Sequence, residues 1–166
     1  TLARKLNIEV KSPVTNMIVY REGESILSTL TATQGEDSEL NAPEKKENRN
    51  KKKNNNGLVL RLQHGQTSFL FPGDIETETE KELLSSAEID ATVLIAPHHG
   101  SRTSNSTEFI GAVSPYFVAI SAAAYTRNKF PAPEVVERYQ AFGTKMFNTA
   151  DNGSIFFLTN GNSVQA

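Results

Sequence analysis

The apolar run at residues 91–95 leads directly into a segment with two adjacent histidines, His98 and His99. The run is rich in β-branched residues and is bounded by Asp90 and Pro97, a pattern typical of a strand buried on both faces. In layered α/β folds, loops at the carboxyl ends of such strands often bind ligands, because the rigid sheet fixes their side chains. The sequence therefore predicts a sheet with two imidazoles at the carboxyl end of one strand.

The residues after the histidines are suited to binding an anion. Gly100 allows a sharp turn of the backbone, and Ser101, Arg102 and Thr103 offer hydroxyl and guanidinium donors for phosphate oxygens. The segment thus has the features of a metal ligand next to an anion-binding turn. On the histidines alone, an exposed polar loop without a ligand remains an equally good interpretation.

A second apolar run, at residues 68–71, ends in a turn formed by Pro72, Gly73 and Asp74. An aspartate after a glycine is common in turns, so this feature is weak when taken alone. Together, however, the two strand ends offer one carboxylate and two imidazoles, a mixed oxygen and nitrogen set that binds zinc, manganese or iron. The sequence therefore predicts a divalent-metal site that includes Asp74.

Strand and helix patterns alternate after residue 57, which predicts an α/β layered fold. The predicted strands lie at residues 8–10, 17–20, 25–33, 58–62, 67–71, 91–95, 116–121, 145–148 and 155–158. The predicted helices lie at residues 76–86, 106–113 and 133–142. A turn around Gly65 makes residues 58–71 a predicted β-hairpin.

Residues 35–56 differ sharply from the rest, since acidic and basic side chains alternate with asparagine and almost no apolar residue is present. Such a segment cannot bury enough apolar surface to offset its ordering entropy, and we expect a mobile loop. Its cluster of Lys51, Lys52 and Lys53 is more typical of a solvated surface than of a contact with nucleic acid.

Length and composition restrict the protein class. The 166 residues suffice for a single domain, and the net charge of -2 argues against a wholly basic nucleic-acid-binding surface. The absence of cysteine excludes disulfides and thiolate ligands. No apolar run approaches 18 residues, so we expect no transmembrane segment in this chain.

Several separated motifs resemble the metallo-β-lactamase fold of the ComEC type, the hydrolase domain of competence proteins and their free-standing relatives. The similar motifs occur in the same order along roughly residues 55–160. They comprise residues 55–62, 65, 67–70, 73–75, 80, 97–101, 109, 113–115, 120–121, 128, 131, 133–135 and 149–153. An ordered series of this kind is more specific than any single motif. The resemblance implies a partial αββα sandwich that lacks its amino-terminal portion.

The resemblance also implies roles for five residues. Asp74 would bridge two metal ions, His99 would be a metal ligand, and His98 would contact the substrate phosphate or the leaving group. Ser101 and Asn128 would bind substrate. The cofactor would be a divalent metal ion, zinc or manganese, with two ions in the full-length protein.

Two features of the family pattern are absent from this chain. Neither the His-x-His-x-Asp-His loop with its Asp variant nor the earlier Asp-x-Gly-x-Gly-Asp turn occurs, and Phe130 and Ala132 occupy positions where the family often has histidine. We therefore expect the chain to be the carboxyl-terminal half of a longer domain. The alternative is a complete but degenerate domain.

The function expected from these features is that of a metal-dependent phosphodiesterase or nuclease, with a phosphodiester or nucleic acid as substrate. Two alternatives remain open. One is a hydrolase of a lactone, amide or thioester on the same fold, and the other is a non-catalytic binding module.

Overall fold

The computed structural model describes residues 14–31, 57–86, 88–123 and 130–166. Its main element is a seven-stranded sheet with the strands in sequence order. These strands are β1 (Ile18–Glu22), β2 (Ser25–Thr31), β3 (Val59–His64), β4 (Thr67–Phe71), β5 (Val93–Ile95), β6 (Phe117–Ile120) and β7 (Lys145–Asn148). The helices are α1 (Thr77–Ser86), α2 (Thr107–Val113), α3 (Pro133–Ala141) and α4 (Thr149–Asn152).

The sheet is mixed, and its change of direction determines where loops meet. Strands β1 to β4 pair antiparallel, whereas β4 to β7 pair parallel. Parallel neighbours require crossover connections, and α1, α2 and α3 supply them. The carboxyl ends of β4, β5 and β6 therefore lie at one edge of the sheet. The predicted α/β class is confirmed as a mixed α/β fold, while the αββα sandwich stays a prediction.

Each face of the sheet has its own apolar cluster. On β5, for example, the adjacent Val93 and Leu94 are both fully buried but belong to different clusters, as the two-residue period of a strand requires. The larger cluster contains Leu94 with residues of three helices: Leu83, Phe109, Ile110, Val113, Val135 and Tyr139. The crossover helices thus cover one face and hold the parallel strands in place.

The other face is covered in part by a two-stranded sheet of β8 (Leu158–Thr159) and β9 (Val164–Gln165). Phe157 and Val164 pack against the cluster that contains Val93. The connection between β8 and β9 lies against the turn of the β3–β4 hairpin, where the Gln66 N–H donates to the Gly161 carbonyl at 2.6 Å. This contact needs a glycine at position 65, because a Cβ there would lie 2.6 Å from the Gly161 oxygen.

Most predicted elements are confirmed, with ends that move by a few residues. The predicted strand at residues 155–158 is wrong in extent, since only Leu158 of that run belongs to β8. The preceding Phe157 packs its ring 5.7 Å from that of Phe117 instead of pairing in a ladder, which explains the apolar pattern without a strand.

Other predictions fall outside the described residues. These are the strand at residues 8–10, the polar loop at residues 35–56 with its lysine cluster, and Asn128. Among the helices that the structure describes, none has the length and apolar character needed to cross a membrane.

Candidate functional site

The candidate site lies at the carboxyl ends of β4 and β5. Asp74 follows β4 in the turn before α1, and His98 and His99 lie in a short 3-10 turn, Pro97–Gly100, after β5. The two loops are bonded directly, since the His98 N–H donates to the Gly73 carbonyl at 3.0 Å. The structure thus brings together the three residues that the sequence singled out on two separate strand ends.

Asp74 and His99 form an open pair at the surface. The Nε2 atom of His99 lies 3.6 Å from the Oδ1 atom of Asp74, and the two side chains are 47% and 56% exposed. The other ring nitrogen, Nδ1, lies 2.7 Å from the Ser121 carbonyl. A carbonyl only accepts, so Nδ1 carries the hydrogen, and in the neutral ring the lone pair of Nε2 faces Asp74. A lone pair directed at a carboxylate favours a cation between the two groups.

His98 forms a second, buried pair with Glu76. The Nδ1 atom of His98 lies 3.6 Å from Glu76 Oε1, and the side chains are 24% and 8% exposed. In the part of the chain that the structure describes, this Nδ1 atom is buried without a hydrogen-bond partner. The sequence did not single out Glu76, because an acidic residue at the start of a helix is common and favourable there. Its position two residues after Asp74 was the one signal that could have identified it.

The backbone at both histidines has an unusual conformation. His98 and His99 have positive φ angles of 48° and 58°, in the left-handed region that residues with a Cβ rarely adopt. Each such residue costs about 1–3 kcal/mol, and this strain is concentrated at functional sites. The strained turn points both imidazoles toward the carboxylates of the neighbouring loop. The sequence pattern gave no indication of the positive φ angles at His98 and His99.

The segment at residues 130–132 packs against this turn. The ring of Phe130 has its centroid 6.1 Å from that of His98 and 6.2 Å from that of His99. The Ala132 N–H donates to the Gly100 carbonyl at 2.9 Å, and a Cβ at Gly100 would lie 2.6 Å from the Pro131 Cβ. Gly100 is therefore required by close contact as well as by its positive φ of 79°. An aromatic ring forms one wall beside both imidazoles.

Ser101 differs from its neighbours in exposure. It is 6% exposed, and its Oγ atom lies 3.1 Å from the hydroxyl of Thr103. By contrast, Arg102 is a surface residue, 75% exposed at its side chain, with its guanidinium 3.8 Å from Glu134. Arg102 is therefore the more accessible of the two side chains, and the anion-binding role of this segment and the role of Ser101 stay predictions.

A buried polar network lies beneath the site. The Nδ2 atom of Asn105 donates to the carbonyls of Pro97 at 3.0 Å and Ser101 at 3.3 Å. Tyr139 donates its hydroxyl to Asn105 Oδ1 at 2.6 Å, and burial raises the pKa of this tyrosine, which keeps it a donor. Glu80 accepts the Asn105 backbone N–H. No local sequence pattern indicated this network.

Glu80 is fully buried and hydrogen-bonds to the backbone of the same segment. Its two carboxylate oxygens accept the N–H groups of Asn105 and Ser106. Burial raises the pKa of Glu80, while these hydrogen bonds and the nearby Arg138 lower it in part. The carboxylate thus satisfies two backbone donors that would otherwise be buried at the start of α2.

The Asp74–His99 pair has a spacing that suits a divalent metal ion. Two ligands at about 2 Å from one zinc ion lie at most about 4 Å apart, and Asp74 and His99 meet that condition. The Ser121 carbonyl orients the histidine ring as the outer partners of metal-bound histidines usually do. Within the described ranges, no group of three or more His, Asp or Glu residues is arranged to hold a metal. The pair therefore fits a metal ion as two of its ligands.

The chain was also compared with known proteins. No protein-family model matches it. It is 37% identical over 106 residues to the uncharacterized protein YcaI of Escherichia coli, and 36% over 104 residues to ComE operon protein 3 of Bacillus subtilis. It is 34% identical over 113 residues to the competence protein ComA of Neisseria gonorrhoeae.

These matches cover most of this chain but little of the relatives. They include 63%, 62% and 67% of the chain, and 14%, 13% and 16% of YcaI, ComE operon protein 3 and ComA respectively. The competence proteins among these homologues fit the ComEC-type family that the sequence motifs resemble.

Proposed function

We propose that this chain, as a relative of competence proteins, forms part of a metal-dependent hydrolase domain that cleaves phosphodiester bonds in DNA. The observation that supports this most directly is the Asp74–His99 pair, with a carboxylate oxygen and an imidazole nitrogen 3.6 Å apart and open to solvent. The competence-protein homologues support DNA as the substrate.

Asp74 and His99 would hold a zinc or manganese ion in this proposal. A bound divalent cation lowers the pKa of water toward neutrality and offsets negative charge on a phosphoryl oxygen. The hydrogen bond from His99 Nδ1 to Ser121 prevents the ring from turning its lone pair away from Asp74. The positive φ of His99 fixes the same direction from the backbone.

His98 would contact the substrate phosphate or donate a proton to the leaving oxygen. Its Nδ1 atom faces Glu76, and the partly exposed ring leaves Nε2 as the nitrogen for substrate. A positioned general acid typically contributes about 10²–10⁴-fold to a rate. Arg102, exposed on the same turn, would bind a phosphate oxygen in competition with Glu134. Ser101 and Asn128 remain proposed substrate-binding residues.

The finer assignment of the fold, a partial αββα sandwich of the metallo-β-lactamase type, is part of this proposal. A four-coordinate ion needs more donors than Asp74 and His99 supply. The relatives are far longer than the segment they share with this chain. We therefore place the remaining ligands, and the site of a second ion, outside the described residues.

The decisive experiment measures cleavage of single-stranded DNA by the full-length protein with added Mn²⁺ or Zn²⁺. Asp74→Ala and His99→Ala should each reduce the metal-stimulated rate by more than about 100-fold, since loss of an outer-sphere partner alone often costs 10–100-fold. Asp90→Ala and His64→Ala are matched controls, because Asp90 pairs with Arg61 and His64 lies near Ser25 in other parts of the sheet. Both controls should keep the wild-type rate.

The alternatives give different results in the same assay. Full activity in both Asp74→Ala and His99→Ala would refute the proposal. Turnover of a chromogenic lactone or thioester, but not of a phosphodiester, would indicate the alternative hydrolase. Absence of Mn²⁺ and Zn²⁺ binding by the full-length protein in calorimetry would indicate a non-catalytic module.

A further inference from the structure

We infer that the dipeptide Ser104-Asn105 is a positioning element that sets the separation of Asp74 and His99, an inference that rests on the proposed function of that pair. Among the hydrogen bonds of the described residues, neither Ser104 nor Asn105 bonds to Asp74 or His99. Instead, each side chain bonds the backbone of one of the two site loops, so that one short segment fixes both loops.

Asn105 fixes the histidine loop. Its two amide hydrogens reach the carbonyls of Pro97 and Ser101, which are the residues just before and after the strained His98-His99-Gly100 turn. Hydrogen bonds at both ends keep the turn at a fixed span. Since the turn contains two non-glycine residues with positive φ, external bonds are needed to maintain it.

Asn105 is itself held from several directions. The Tyr139 hydroxyl occupies its Oδ1 atom, so the amide cannot flip without losing its bonds. Arg138 donates to the Asn105 carbonyl at 2.9 Å, and Glu80 accepts the Asn105 backbone N–H. Helices α1 and α3 thus both fix this one residue, which is fully buried. Side chains in such closed networks have little freedom to move.

Ser104 fixes the carboxylate loop. Its hydroxyl donates to the Ile75 carbonyl at 2.8 Å, one residue after Asp74 and one before Glu76. The neighbouring Thr103 carbonyl accepts from both the N–H and the hydroxyl of Thr77, which begins α1. The same short segment therefore anchors the loop that carries both site carboxylates.

These anchors add fixed points to the contacts between the two loops themselves, which include one backbone bond and the two carboxylate–imidazole pairs. The direct bond between them is that from the His98 N–H to the Gly73 carbonyl, which lies on the amino-terminal side of each site residue. A single hydrogen bond leaves the two loops free to pivot about it. The additional bonds at Pro97, Ser101 and Ile75 oppose that motion. Displacement of about 1 Å in a site can cost 10²-fold in rate.

The test uses Asn105→Gly in the full-length protein. Asn105 has a φ of 60°, which glycine adopts freely, so the substitution removes the side-chain bonds and leaves the backbone unstrained. Ser104→Ala removes the other anchor. Thr144→Val is the matched control, since Thr144 also donates a buried bond to a carbonyl, that of Pro115, at the opposite edge of the sheet.

Two readouts are needed, of which one does not depend on activity. In the metal-free protein, the ¹⁵N signals of the His99 ring should indicate a single Nδ1–H tautomer in the wild type and in Thr144→Val, and mixed tautomers in Asn105→Gly. In the DNA cleavage assay, kcat should fall about 10–100-fold in Asn105→Gly with little change in KM. Ser104→Ala should lower kcat in the same way.

Wild-type ring signals and wild-type kcat in a folded Asn105→Gly protein would overturn the inference and leave the proposed function intact. Altered ring signals in a protein that does not cleave phosphodiesters would refute the proposed function and support the positioning role. If Asn105→Gly does not fold, Tyr139→Phe replaces it, because this variant keeps Asn105 but removes the hydroxyl that orients its amide. Its ring signals and kcat should change in the same direction by a smaller amount, and unchanged values would overturn the inference.

Discussion

Two carboxylate–imidazole pairs lie side by side at the ends of β4 and β5, with the same separation and opposite exposure. Asp74 and His99 are 3.6 Å apart with both side chains near half exposed, whereas Glu76 and His98 are 3.6 Å apart with Glu76 almost completely buried. The two imidazoles come from the dipeptide His98-His99, and the two carboxylates lie two residues apart in sequence. The same two chemical groups thus lie in two different environments.

Solvent exposure determines how strongly each carboxylate–imidazole pair interacts. An exposed ion pair contributes little to stability, because water screens its attraction. The open pair is therefore suited to exchange its partner for a cation from solution. A buried pair is poorly screened, and removal of one member leaves the other without compensation. The buried pair is thus suited to hold the geometry next to the open pair.

The largest expected contrast between the pairs concerns stability. Glu76→Ala should lower the free energy of unfolding by about 2–4 kcal/mol, because it leaves the buried His98 Nδ1 without its carboxylate. Asp74→Ala should lower it by less than about 1 kcal/mol. Urea unfolding of both variants measures the difference. Equal losses would show that burial does not distinguish the pairs.

A smaller effect should separate backbone strain from side-chain contacts at the exposed pair. Both His99→Gly and His99→Ala remove the imidazole, but glycine accepts the positive φ of 58° without strain. The glycine variant should therefore be about 1 kcal/mol more stable than the alanine variant. Thermal unfolding of the two proteins measures this difference.

Arg102 supplies the control for this comparison, since it does not have a positive φ. There, the alanine variant should be at least as stable as the glycine variant, because glycine adds entropy to the unfolded chain. Greater stability of the glycine variant at both positions would contradict a strained backbone at His99.

The smallest effect concerns a third carboxylate near the pairs, Glu80, which is fully buried and bonded to backbone amides. Burial raises its pKa above the ordinary value of 4.5, so the folded protein holds this proton more tightly than the unfolded chain. The contribution of Glu80 to stability therefore falls as the pH rises from 4.5 through the raised pKa, and is recovered on acidification.

Glu80→Gln isolates this contribution, because the variant keeps the shape of the side chain and does not titrate. The stability of the wild type relative to Glu80→Gln should increase as the pH is lowered from neutral toward 4.5. Chemical unfolding of both proteins across a pH series measures this trend. A difference that stays constant with pH would contradict the raised pKa.

Local patterns predicted much of the fold and part of the site. The apolar runs before Asp74 and His98 were sufficient to place both residues at strand ends, and the helix patterns between them implied parallel strands with adjacent carboxyl ends. That argument needs only periodicity and the geometry of crossovers. It explains why Asp74 and His99, which are 25 positions apart in sequence, lie in one site with their side chains 3.6 Å apart.

The remaining features depend on contacts that no local pattern encodes. Glu76 has the sequence character of an ordinary helix-start acid, and its burial results from packing against the histidine turn. Asn105 lies in a polar stretch of serine, threonine and asparagine that is typical of a loop, and its importance comes from Tyr139 on a distant helix. Phe157 had the pattern of a strand because an aromatic cluster requires the same apolar residues. In each of these cases, tertiary packing and not the local pattern determined the structural role of the residue.

The backbone bond from His98 to Gly73 and the one from Ala132 to Gly100 close three segments of chain around the site. Separation of these segments would break both bonds, so we expect the two amides to exchange together when the site opens. Their exchange with deuterated solvent would then follow one shared opening free energy. A ligand that binds only the closed form slows both amides by the same factor, which makes this pair of protons a measure of site occupancy.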